Sequence, residues 1–95
     1  MIRNVIFYTG QVQGVGFRYT AAKLAKGFDV AGYVQNLDDG RVRLEVQGTE
    51  GQVLGLLEAI DQAMASNITT KDVADQPVDP GLGDPKEPDA FVVRY

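Results

Sequence analysis

The sequence predicts an α+β fold: one antiparallel sheet with two helices packed on a single face. Three observations predict it. Runs of β-branched and aromatic residues suited to strands are separated by two stretches whose apolar residues recur at helical spacing. Those segments come in the order strand, helix, strand, strand, helix, strand. The third strand alternates apolar and polar residues so cleanly that it expects one buried face and one wet face. A chain of 95 residues has the length of one domain, so residues 1–95 are read as a single unit.

Taken in order, Ile2–Thr9 (IRNVIFYT) is β-branched and aromatic, has strand length and stops at Gly10. Phe17, Ala21, Leu24, Ala25 and Phe28 then form the apolar stripe of a helix, which Gly27 is placed to end. Val30–Leu37 (VAGYVQNL) reads as the second strand, and the Asp-Gly step of Asp38-Asp39-Gly40 is a hairpin signal. In the third strand, Arg41–Gln47, the residues Val42, Leu44 and Val46 face one way and Arg41, Arg43, Glu45 and Gln47 the other. Thr49 and Gln52 have the spacing of a capping box. They precede a second helical stripe of Val53, Leu56, Leu57, Ile60 and Met64, whose length outweighs Gly51 and Gly55, each worth roughly 1 kcal/mol against a helix. Ile68–Ala74 (ITTKDVA) and Ala90–Tyr95 (AFVVRY) read as further strands. The intervening DQPVDPGLGDPKEPD holds all four prolines and reads as a long acidic loop. This order of elements is the split βαβ, or ferredoxin-like, sandwich, an architecture that leaves function open.

Composition removes several classes of chemistry. Nine basic and thirteen acidic residues give a net charge of −4, which argues against nucleic acid or an anionic membrane as the main partner. The absence of cysteine rules out disulfides and thiolate chemistry, and the absence of histidine removes the commonest general base and metal ligand together. No metal-ligand cluster and no cofactor motif is evident. With no apolar run long enough to span a bilayer, the expectation is a cytoplasmic monomer.

The stretch GQVQGVGFR, residues 10–18, demands an explanation. A loop leaving a strand and entering a helix presents unpaired N–H groups, and glycines let those groups converge without interference from Cβ atoms. Such a concavity binds anions. Arg18 then stands in the first turn of the helix, where a cation opposes the positive end of the dipole. A bound phosphate would resolve that conflict, its oxygens held by N–H groups from Gln13 to Arg18 and gripped by the guanidinium. On the loop alone, a packing turn beside a solvated arginine is the slightly better account.

Residues 10–18 closely resemble the first signature of the acylphosphatase family, and residues 32–48, GYVQNLDDGRVRLEVQG, resemble its second, with glycines at 32, 40 and 48 and asparagine at 36. The resemblance implies that Gln13, Gly14, Val15, Gly16, Phe17 and Arg18 bind phosphate, with Arg18 and Asn36 catalytic and Asn36 orienting the attacking water. The implied substrate is a small acyl phosphate, a mixed anhydride of a carboxylic acid and phosphoric acid. The implied products are carboxylate and inorganic phosphate, and the loop would equally hold inorganic phosphate or a similar anion. A phosphate- or acyl-phosphate-binding module without turnover is the alternative.

The chemistry agrees with this resemblance. A carboxylate leaving group is stable as an anion near neutral pH, so its departure needs no general acid. Phosphoryl transfer is mostly positioning and charge stabilisation. Among the remaining residues, Phe17 is expected in the core, Asp38 and Asp39 in hairpin roles, and Arg41 and Arg43 on a solvated face. The Gln13 side chain is expected to face solvent or brace Asn36.

Overall fold

In a computed structural model describing residues 1–95, the expected elements follow one another as β1 (Ile2–Gly10), α1 (Phe17–Ala25), β2 (Val30–Asn36), β3 (Val42–Gly48), α2 (Glu50–Ala63), β4 (Ile68–Gln76) and β5 (Phe91–Arg94). A short 3-10 turn, Pro80–Leu82, interrupts the loop before β5. The strands lie in the order β4-β1-β3-β2-β5. Four of them form the expected antiparallel sheet, but β5 pairs parallel to β2, so the whole sheet is mixed. The cause is the long acidic loop. It leaves β4 at one edge and delivers β5 to the opposite edge, alongside a strand running in the same direction.

Register decides which side chains form the core. Ile6 faces Leu44, Leu44 faces Val34 and Val34 faces Val93, so one row of aliphatic residues crosses four strands on a single face. Phe17, Ala21 and Ala25 of α1 and Val53, Leu56 and Ile60 of α2 pack on that face in one cluster. Fully burying each large aliphatic or aromatic side chain is worth about 1.5–3 kcal/mol. No helix is long and apolar enough to cross a membrane.

Two expectations are corrected on the periphery. The Thr49–Gln52 capping box does not form. The Thr49 side chain makes no cap, and the Gln52 amide oxygen accepts instead from the Asp29 N–H at 2.9 Å, tying α2 to the entry of β2. Nor is the polar face of β3 wet throughout, because Glu45 and Gln47 are buried. Residues 77–83 cross that face. Gln47 donates to the Asp79 carbonyl at 2.9 Å and accepts from the Asp79 N–H at 2.7 Å, while Glu45 pairs with Arg3 and, at 3.7 Å, with Arg43. Both buried polar groups are thus satisfied. Beyond the end of the loop's cover, Arg41 and Arg43 lie over the Phe7 ring. At the far edge, β4 is exposed along nearly its whole length.

Candidate active site

Between β1 and α1 the chain must turn sharply while leaving its amides free. Gly14 and Gly16 have φ of 76° and 80°, the left-handed region that side chains rarely adopt, although a Cβ at either would meet open space. Conformation, not crowding, selects glycine there. Gly10 is different: an added Cβ would lie 2.3 Å from the Asn67 carbonyl oxygen, which accepts from the Gln11 N–H at 2.9 Å and moors the start of the loop.

From Val12 to Arg18 no backbone N–H donates to a protein acceptor. Gly16 is the N-cap of α1, no side chain caps the helix, and its first turn holds no acidic residue. The result is a run of unpaired donors at the positive end of a helix dipole, an arrangement suited to an oxyanion. Phe17, at the head of that helix, is almost wholly buried as expected and packs its ring 4.9 Å from that of Tyr8.

Gly14, Gly16, Phe17, Arg18 and Asn36 line one cavity of about 180 Å³, together with Val12, Tyr19, Val93 and Tyr95. The structure therefore brings both sequence-selected polar residues to the loop. The Arg18 Nη1 donates to the Arg94 carbonyl at 3.4 Å, and its guanidinium carbon lies 4.8 Å from the centre of the Tyr95 ring. Neither contact neutralises the cation. Asn36 ends β2, and its Oδ1 is buried without a hydrogen-bond partner. An acceptor held out of water in this way needs a donor.

Gln13 is half-buried, and none of its side-chain hydrogen bonds goes to Asn36. Its amide donates to the Leu37 carbonyl at 2.6 Å and to the Arg41 carbonyl at 2.9 Å, clamping the loop to the hairpin just beyond Asn36. Asp39 has the expected hairpin role: it accepts from the Arg41 N–H and from its guanidinium, and that pairing holds the Asp39 carboxyl below the usual carboxylate range. Tyr19 and Tyr95 were not anticipated as cavity walls. No group of three or more aspartates and glutamates converges anywhere in the fold.

A family model described as Acylphosphatase matches residues 4–84. An acylphosphatase of Clostridium perfringens is 47% identical over 53 residues, a match that covers 56% of this chain and 60% of that relative. An acylphosphatase of Thermotoga petrophila is 33% identical over 86 residues, covering 90% of this chain and 89% of the other. The crystal structure of acylphosphatase from Bacillus subtilis superposes with a TM-score of 0.82 at 30% identity, covering all of both chains.

Proposed function

The chain belongs to the acylphosphatase family, and on that premise we propose that it hydrolyses acyl phosphates, with Arg18 and Asn36 as the catalytic residues. The observation that carries the reading is the single cavity in which unpaired amides, a guanidinium and an unsatisfied amide oxygen meet.

The phosphoryl group lies in the loop, its oxygens receiving N–H donors from Gln13, Gly14, Val15, Gly16, Phe17 and Arg18 and the Arg18 side chain. These donors are fixed before substrate arrives, so stabilising the charge of the transition state requires little reorganisation. Asn36 Oδ1 accepts a hydrogen bond from a water molecule and aims its oxygen at phosphorus, in line with the acyl oxygen. As the new O–P bond forms, the bond to the acyl oxygen breaks and its electron pair leaves on the carboxylate. The water's proton passes to a phosphate oxygen of the substrate itself, giving inorganic phosphate. We take the protein to act as a single-domain monomer in the cytoplasm. One cluster joining both helices to the sheet supports the single domain, and a cysteine-free chain needing no oxidising compartment suits the cytoplasm.

Purified protein mixed with benzoyl phosphate, in the presence of a chelator, is expected to release benzoate and phosphate in equal amounts. Phosphate binding without any turnover would make the chain a binding module instead.

A further inference from the structure

Tyr19 belongs to two concavities. It lines the cavity that holds Arg18 and Asn36, and it also lines a wider groove of about 700 Å³ between α1 and α2. Leu24, Phe28 and Ala59 provide the apolar part of that groove, and Lys23 is its one charged residue. Tyr19 itself is 71% exposed, so its ring is open to a ligand that spans both concavities. Within the smaller cavity Arg18 is the one charged side chain, and the phosphoryl group claims it. A second anionic group on a substrate would find no partner there.

Resting on the acylphosphatase reading, we propose that the substrate's acyl group is an extended apolar chain that passes over Tyr19 and lies in the α1–α2 groove. In-line attack places the leaving group opposite the water. Asn36, which holds the water, stands on the sheet, whereas Tyr19 stands on the helix layer. The acyl group therefore departs toward α1, where the groove begins. Apolar side chains there cover carbon along most of the groove, with Lys23 as the one group that a charged tail could pair with. Tyr19 is the specificity-determining residue at the junction.

The test is a chain-length series of kcat/KM with acetyl, butyryl and octanoyl phosphate. An open groove covers roughly half of each methylene, so kcat/KM should rise about twofold per carbon, against about fourfold for full burial. Tyr19→Ser and Ala59→Gln should each lower the octanoyl-to-acetyl ratio about fivefold or more. A flat or falling series in the unaltered protein, with acetyl phosphate still hydrolysed, would overturn the groove assignment and leave the acylphosphatase reading standing. A ratio unmoved by both substitutions would also overturn it. Failure to hydrolyse any of the three would remove the assignment together with the reading beneath it.

Discussion

The Gln13 side chain donates to the Leu37 carbonyl across 2.6 Å, although the two residues lie 24 positions apart. This bond, with its companion to Arg41, ties the loop between β1 and α1 to the strand end that carries Asn36. Gln13→Ala is expected to lower kcat about tenfold or more, because small misplacements of a positioning group are costly in turnover. Inhibition by inorganic phosphate should weaken far less, since the amides of the loop remain. Steady-state kinetics with phosphate as inhibitor would separate the two effects; an equal loss in both would point to a collapsed loop.

Arg18 and Asn36 should separate in the same experiment. Arg18→Gln is expected to weaken phosphate inhibition and turnover together, whereas Asn36→Ala should cut turnover by about 10²-fold and spare inhibition. Normal turnover in Asn36→Ala would end its role as the holder of water.

The Tyr95 ring lies 4.8 Å from the Arg18 guanidinium and is almost fully exposed. An exposed cation–π contact contributes about 0.5–1 kcal/mol. Tyr95→Ala should therefore weaken phosphate inhibition by about two- to fivefold and Tyr95→Phe should restore it. Restoration by leucine as readily as by phenylalanine would show that bulk, not the ring, matters.

Tyr8 has a buried hydroxyl with no partner, and burial, helped by the nearby Asp61 charge, raises its pKa above the ordinary value of 10.0. A raised pKa means that the folded state holds the phenol proton more tightly than the unfolded chain does. The associated stability is complete below about pH 10 and is lost as pH rises further. Tyr8→Phe should gain about 1 kcal/mol at neutral pH by removing an unsatisfied group, and should flatten the alkaline decline. Urea midpoints at pH 7 and pH 10.5 would test both claims.

Some of this was legible in the residues because a local rule was visibly broken. A cation at the head of a helix and three glycines before it marked Arg18 and its loop; an asparagine before an Asp-Gly turn fell within a known signature. The strands and helices followed from periodicity, since each buries one face in register with its neighbours. What remained hidden depends on partners far along the chain. The Gln13 clamp ends on two carbonyls of a hairpin. The burial of Glu45 and Gln47 depends on residues 77–83 crossing their face, and the parallel pairing of β5 on where that same loop arrives. Tyr19 and Tyr95 left no periodic trace because neither is needed in the core.

The exposure of β4 bears on how copies of this molecule coexist in a concentrated solution. A nine-residue outer strand offers its outward backbone groups to any passing chain, the first step toward stacked, fibrous association. Lys71, Asp72 and Asp75 stand along that strand, and a second copy laid against it would bring its own charges alongside theirs. Charged side chains on an open edge disfavour such pairing, so a strand that is well paired on its inner side helps keep its outer side free of neighbouring molecules.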